Sequence, residues 1–350
     1  MEIPRLRELR LRAQGILPQF DGHASDCVHG MCAMQAQDLG QARWALGVRV
    51  PGLRASDVDA ALARGEIVRT WVMRGTLHLL HAEDVRWVVS LVEGANRAKT
   101  RPLHRRLELD EETLARSVDV ICRALEGNGG ESGTIALQRK EVFAAVEAAG
   151  ISTEGLRGAF MLYEAAHLGL ICLGPMAGKQ DTYVLADKWL PEAKPKSRAE
   201  AIAELAGRYF QSHGPATLED FVWWSGLGVR EARQGLMDVA GMLERVAFDG
   251  MDYWMGREVS SAPSNNETLL LPGFDEYLIA YRNRSLILDE AHSSAVISSN
   301  GIFRPFIVQD GRVVGTWKLE KGKVKLDAWD AFDEQEMAGQ MRRVVAFYQG

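Results

Sequence analysis

One order of elements recurs along this chain, and it limits the possible folds more than any single motif does. At 198–256, "RAEAIAELAGRYFQSHG" reads as a helix ending at Gly214. "ATLEDFVWWSGLG" follows, with Leu218, Phe221, Val222 and Ser225 at helical spacing. Thr217 and Asp220 form a capping box in front of that helix. "VREARQGLMDVAGML" is a further helix, with Leu236, Val239, Ala240 and Leu243 on one face. "LERVAFDGMDYWMG" then reads as two short strands around Asp249-Gly250, a pair that favours a two-residue hairpin turn. Helix, helix, turn, helix, hairpin is the order of a helix-turn-helix with a β-wing.

The order appears twice more. "EETLARSVDVICRALEG", "RKEVFAAVEAAG" and "TEGLRGAFMLYEAAHLG" read as helices, the last with Leu156, Ala159, Phe160 and Tyr163 on one face. "LICLGPMAGKQDTYVLADKWL" reads as their hairpin. Nearer the start, "PRLRELRLRAQG", "ASDCVHGMCAM", "LGQARWALGV" and "ASDVDAALARG" precede the strands "IVRTWVMR" and "GTLHLL". Units spaced roughly 90 residues apart indicate duplication. After 256 the pattern turns to β: "ETLLLPGFDEYLIAY", "GIFRPFIVQ", "GRVVGTWKLE" and "KVKLDAW" read as strands, with turns at Asp310-Gly311 and Lys321-Gly322. "DEQEMAGQMRRVVAFY" closes as a helix. The expected class is α+β: three tandem winged-helix units in a curved arrangement, with a C-terminal β-sheet. The expected boundaries are 1–108, 109–190 and 191–350, the linker "PEAKPKS" opening the third unit.

Composition narrows the function classes. A 350-residue chain with 47% hydrophobic and 25% charged residues is an ordinary globular protein of more than one domain. A net charge of −6 gives no global attraction to nucleic acid, so any basic surface must be local. No apolar run reaches membrane-spanning length, and "MEIPRLRELRLR" lacks an apolar signal core. Cys27, Cys32, Cys122 and Cys172 form no CxxC pair, which fits reduced thiols in a cytoplasm. Cys27-x-His29-x-x-Cys32 has a metal-like look, but no second ligand pair follows, so no metal or other cofactor is expected.

The stretch "CAMQAQDLGQ" poses the chemical question. Val28, Met31, Cys32 and Gln35 fall at helical spacing, so Gln35 ends a buried stripe. Asp38 with Gln41 matches a capping box that opens the next helix, which favours a cap over a general base for Asp38. Gln35-Ala36-Gln37 therefore occupies a joint between helices, where a spacing of two can turn both amides to one side. On spacing alone, helix-end capping is the better account of both glutamines.

"LRAQG", "QAQD", "RTWVMRGTLHLL", "ATLEDFVWWSGL", "LLPGFDEYLIAYRNR" and "NGIFRPFIVQDGRVVGTW" together resemble the winged-helix DNA glycosylases of the AlkZ and YcaQ type. The resemblance runs in order from about Leu11 to Trp317. It implies tandem winged helices forming a concave DNA surface, a hairpin entering the minor groove, and excision of bulky or cross-linking N7-alkylguanine without base flipping. Its Gln-φ-Gln motif maps to Gln35 and Gln37 as catalytic residues; the middle position is Ala36 where an aliphatic residue is usual. The chemistry agrees. A glutamine amide can orient water but cannot take its proton effectively. That suffices where alkylation at N7 has made the base cationic and ready to leave, so that positioning water and stabilising a cationic sugar remain. The implied partner is double-stranded DNA with alkylated purines, bound by a monomer.

Other polar groups are candidates for DNA binding. Arg69, Arg74 and His78 lie in the first hairpin, where a solvated strand face is as good an account. "NRAKTRPLHRR" (96–106) is either a phosphate-contacting or a solvated charged loop. In 300–325, Arg304, Arg312, Lys318, Lys321, Lys323 and Lys325 outnumber two acids, which suits a hairpin in an electronegative minor groove; Asn300 lies at its start. Trp223-Trp224 is expected in the core. The competing function is a non-catalytic winged-helix DNA-binding regulator, because fold does not fix function.

Overall fold

A computed structural model describes residues 2–17, 19–127, 134–257 and 268–349. The chain divides into two compact units, Met1–Val58 with Ile202–Gly350, and Asp59–Ala201. No helix among the described residues is long and apolar enough to cross a membrane.

In the unit Asp59–Ala201 the two expected hairpins share one sheet. Ile67–Trp71 pairs antiparallel with Leu77–His81, and Ile171–Leu173 with Thr182–Leu185. Arg69 opposite Leu173 joins them, and Leu137–Gln138 pairs with Thr182–Leu185. Helices Glu111–Glu126, Arg139–Ala148 and Arg157–His167 pack a core of Ile121, Val142, Met161, Leu162, Ala165 and Ile171 against it. The apolar stripe of Arg157–His167 is rotated from the expected one: Leu156 is exposed, and Met161, Leu162, Ala165 and Ala166 are buried. Phe160 and Tyr163 instead lie at the edge of the core, beside His104 and Trp71.

The charged stretch 96–106 is not a loop. It is the second half of the 22-residue helix Val85–Arg106, which continues past Pro102. Arg97 is anchored there by Glu164 at 2.6 Å and Glu93 at 3.3 Å.

The other unit holds a four-stranded antiparallel sheet in the order Lys323–Ala328, Arg312–Glu320, Phe306–Gln309, Thr268–Leu271. Its tight turns, Asp310-Gly311 and Lys321-Gly322, have all four residues at positive φ, as does Asp249-Gly250 in the separate hairpin Leu243–Gly256. That backbone matches the twist of the flanking strands and is least costly for Gly and Asp. Helix Leu218–Ser225 opens with the expected box: Thr217 Oγ1 accepts from Asp220 N, and Asp220 Oδ2 from Thr217 N. The closing helix Glu334–Gln349 sets Phe347 edge-on to Trp44, centroids 5.2 Å apart.

Two expected strands are shorter than their patterns. "ETLLLPGFDEYLIAY" is extended only at Thr268–Leu271, Glu267 lying outside the described residues. The chain then turns through Phe274 at φ +60, and Glu276–Ile279 is a helical turn capped by Asp275, which accepts from Tyr277 N at 2.9 Å. "GIFRPFIVQ" is a regular strand only from Phe306, after Pro305, which has no N–H to give a ladder. The residues before it form a small hairpin of their own: Ile297 bridges Phe303, and Ser298 N donates to Ile302 O at 3.0 Å.

Candidate active site

The two glutamines stand where one helix has ended and the next has not begun. Helix Ala24–Met31 stops at Cys32, which has φ +65, so Gln35 does not continue its stripe but lies in the two-residue strand Met34–Gln35. Helix Leu39–Arg49 starts after Asp38, whose carboxylate accepts from Gln41 N at 3.1 Å. Between them only Met34–Gln35 is strand and Gln37–Asp38 is a bend; Gln35 is half-buried, Ala36 is fully buried and Gln37 is exposed. The small apolar middle residue is thus buried between two amides that are not.

The capping box is only half made. Asp38 caps as expected, but Gln41 Oε1 accepts from Gly273 N at 2.9 Å rather than reaching back to its own helix end. That bond belongs to a series. Trp44 Nε1 donates to Leu270 O at 2.7 Å. Arg49, with no exposure, grips Asp275 bidentately at 2.8 and 2.9 Å. Gln35 N donates to Glu276 Oε1 at 2.7 Å. Segment 35–49 is thereby bonded at four places to segment 270–276. All five N–H groups of Arg49 are used, the others going to Ala45 O, Gln14 O and Gln14 Oε1. Burial works against the charge on Arg49, but the adjacent Asp275 outweighs it and lifts the guanidinium pKa above its ordinary value.

The short hairpin at 297–303 lies close to this segment. Gly273 has no room for a Cβ against the Phe303 carbonyl, and the rings of Phe274 and Phe303 are 5.6 Å apart. At its tip Asn300 is exposed, its Oδ1 accepting from Ser298 Oγ at 2.5 Å, and Ile302 is 50% exposed. Arg304 is exposed and fixed by Ala295 O at 2.9 Å.

Several expected DNA contacts are otherwise engaged. His78 is fully buried, with Nδ1 2.9 Å from Thr76 O, and Arg69 is buried and ion-paired with Asp181 at 2.9 Å. Both side chains are turned away from solvent, because strand Ile67–Trp71, which carries Arg69, is buried along its whole length and Leu77–His81, which carries His78, is buried as far as Leu80. Arg312 pairs with Asp330, and Lys318 with Glu320 at 2.7 Å; Lys318 and Lys325 together bring the Glu320 carboxyl down to about 2. Three of the six cations of 300–325 are thus paired: Arg312 with Asp330, and Lys318 and Lys325 with Glu320. Arg74 is half-buried at φ +58 in the turn Met73–Gly75, a left-handed position uncommon for a side-chain-bearing residue. Asn96 Nδ2 holds Val72 O at 2.6 Å, and Tyr163 Oη donates to Gly75 O, so this turn is fixed from both sides.

Cys27 and Cys32 are both fully buried, and burial pushes the Cys27 thiol up to about 12. The tryptophan pair splits. Trp224 is core, its Nε1 donating to Glu276 Oε2 at 3.0 Å. Trp223 is 40% exposed, with the Arg284 guanidinium 5.4 Å from its ring centroid.

Sequence reasoning missed Asp275, Glu276 and Arg49. The signal was present: two adjacent acids inside an apolar run are costly unless both are paired. Reading that run as a strand hid the pairing.

A model of the family described as DNA glycosylase AlkZ-like matches residues 28–347. A curated relative, the interstrand DNA cross-link repair glycosylase of Streptomyces sahachiroi, is 27% identical over 335 residues, covering 89% of this chain and 86% of the relative. The solved structure of Streptomyces sahachiroi DNA glycosylase AlkZ has the same fold, with TM-score 0.84 at 23% identity over 99% of this chain and 96% of that one. With the family model spanning nearly the whole sequence, this chain belongs to the AlkZ-like DNA glycosylases.

Proposed function

We propose that this protein is a monofunctional DNA glycosylase that hydrolyses the N-glycosidic bond of cationic N7-alkylguanine in duplex DNA, with bulky adducts and interstrand cross-links among its substrates. It acts as a monomer, without base flipping. The observation that carries the reading is the joint at 35–37. Two neutral amides, neither of them fully buried, flank a buried alanine between two helices, and that segment is bonded through its backbone and its following helix to a buried acidic pair. The relative named for cross-link repair supports the substrate class.

The leaving base already carries positive charge, so the departing nitrogen needs no general acid. What the site must supply is a water held at C1′ and oxygen dipoles turned toward the cationic sugar, both of which act in the transition state rather than in the bound duplex. Gln35 and Gln37 are the groups for this. Asn300, Arg304 and the exposed Ile302 form a hairpin tip suited to the minor groove, with a small apolar wedge and a cation beside it. Arg74 and the exposed Arg101, Arg105 and Arg106 are candidates for phosphates in the unit Asp59–Ala201; Arg312 and Lys318 would contribute after parting from their carboxylate partners. The division into winged-helix units at 1–108, 109–190 and 191–350 is part of the same reading.

The test is incubation with a duplex containing N7-methylguanine, followed by alkali to cut at abasic sites. The wild-type protein should release the base. Gln37→Ala and Gln35→Ala should each slow release by on the order of 100-fold, the usual cost of one preorganised dipole, with little loss of duplex affinity. Gln37→Glu should stay active, because a carboxylate also holds water and favours the cationic sugar. A wild-type protein that binds the duplex but leaves the base in place would identify a regulator instead.

A further inference from the structure

Asp275 and Glu276 are consecutive, each 1% exposed, and each holds a different end of segment 35–49. The role of Asp275 is plain: it neutralises Arg49 and caps a helical turn. Glu276 has a more specialised task. One carboxylate oxygen accepts from Gln35 N at 2.7 Å, and the other from Trp224 Nε1 at 3.0 Å, with His213 Nε2 3.6 Å away. We propose that Glu276 is a positioning residue for base excision, fixing the peptide that carries Gln35 so that the Gln35 amide meets the sugar in the correct place. This rests on the reading of Gln35 as a catalytic residue.

The chemistry of the site requires an acid. Both neighbours are N–H donors, and only a carboxylate accepts at both of its oxygens. A glutamine at 276 would have to turn its NH2 toward either Gln35 N–H or Trp224 Nε1–H, leaving one buried donor facing another. A charge-assisted bond from a backbone N–H is also about twice as strong as a neutral one, and 2.7 Å is short for N–H···O. Trp224 is fully buried, and His213 stacks on Tyr209 at 5.0 Å with an interplanar angle of 12°, so the carboxylate itself has little freedom. Strand Met34–Gln35 is only two residues long, and the bond to Glu276 holds the peptide at its end.

The experiment follows single-turnover excision of N7-methylguanine, duplex Kd and the Gln35 backbone amide proton resonance in protein labelled at glutamine nitrogen. Wild type, Gln35→Ala, Glu276→Gln and the double variant Glu276→Gln/Trp224→Phe are compared. In wild type the Gln35 amide proton should lie downfield, as a proton donated to a carboxylate does. Glu276→Gln should shift it upfield and slow excision roughly tenfold, a fraction of the loss a 1 Å misplacement produces, while Kd stays unchanged. Removing the Trp224 donor frees the new amide oxygen for Gln35, so the double variant should regain both the resonance position and most of the rate. A purely structural role would leave the rate untouched in any variant that remains folded. If Glu276→Gln does not fold, Glu276→Asp carries the test: it keeps the charge but is one methylene too short to reach Gln35 N, so excision should slow and the resonance should move. Wild-type excision in a folded variant whose Gln35 resonance has moved overturns the inference, and so does a double variant that recovers the resonance without the rate. If Gln35→Ala is slow while Glu276→Gln is not, this inference alone fails. If wild type releases no base, the proposed function fails and this inference falls with it.

Discussion

Both compact units bury polar side chains, and Arg49 in one and His167 in the other are treated in opposite ways. In the unit containing Gln35, Arg49 has all five N–H groups bonded and Asp275 takes two of them. In the unit Asp59–Ala201, His167 is 2% exposed and neither ring nitrogen has a hydrogen-bond partner, while His104 Nε2 is likewise unsatisfied. Their surroundings are aromatic: Tyr163 meets His167 edge-on at 4.7 Å, and Phe160 meets His104 at 5.7 Å. Matched burial fixes geometry, since every group of the network has one arrangement that satisfies it. Unmatched burial fixes only a protonation state. The Arg49–Asp275 pair lies behind the candidate catalytic segment, and His167 and His104 lie in a helical core.

The largest expected effect breaks the matched side. Asp275→Ala leaves a fully buried guanidinium without its counter-charge and removes the cap of Glu276–Ile279, so urea unfolding should show a loss of about 3–5 kcal/mol, the usual cost of breaking a buried pair from one side. Removing both charges with Arg49→Met/Asp275→Leu should recover much of it. If Asp275→Ala costs no more than a surface substitution, the pair is not the anchor described above.

The unmatched side should fail in acid. Burial, with Arg97 and His104 adding to it, pushes His167 from 6.5 down to about 4. The folded value lies below the unfolded one, so the unfolded chain binds the proton first. The neutral ring's contribution is intact above pH 6.5 and is lost as pH falls toward 4. A shift of this size corresponds to about 3 kcal/mol at the low-pH limit. His167→Leu should remove that part of the acid sensitivity, seen as a smaller drop in stability between pH 7 and pH 4 than in wild type. An identical drop would place the acid-sensitive group elsewhere.

The same contrast explains what could be read from the sequence. Hairpin turns, helix caps and the joint at 35–37 depend on a few adjacent residues, and Asp249-Gly250, Thr217 with Asp220, and Asp38 all behave as their local chemistry dictates. The long-range pairs do not announce themselves. Asp275 and Arg49 are 226 positions apart, and Glu276 and Gln35 are 241 apart. Periodicity also misleads where a segment is buried on every side. Ile67–Trp71 has no solvent face and Leu77–His81 almost none, so alternation could not locate Arg69 or His78 at a surface. The charged stretch 96–106 has a run of cations that suits a loop, yet it is helical and the helix continues past Pro102.

The smallest effect concerns Asp38, and it separates a cap from a catalyst. Asp38 is exposed, follows Gln37 directly and accepts from Gln41 N, while Gln41 itself is held by Gly273. Helix Leu39–Arg49 is thus fixed by Arg49, Trp44 and Gln41 whether or not its first turn is capped. Asp38→Ala should cost about 1 kcal/mol, as lost caps do, and Asp38→Asn almost nothing, because Asn caps as well as Asp. Neither should slow excision as Gln37→Ala does. A carboxylate beside a water at C1′ would be an effective general base, so the opposite result has a clear meaning. If Asp38→Asn is inactive though folded, and both Gln→Ala variants keep the wild-type rate, then Asp38 takes the proton and the glutamines serve only to close the joint.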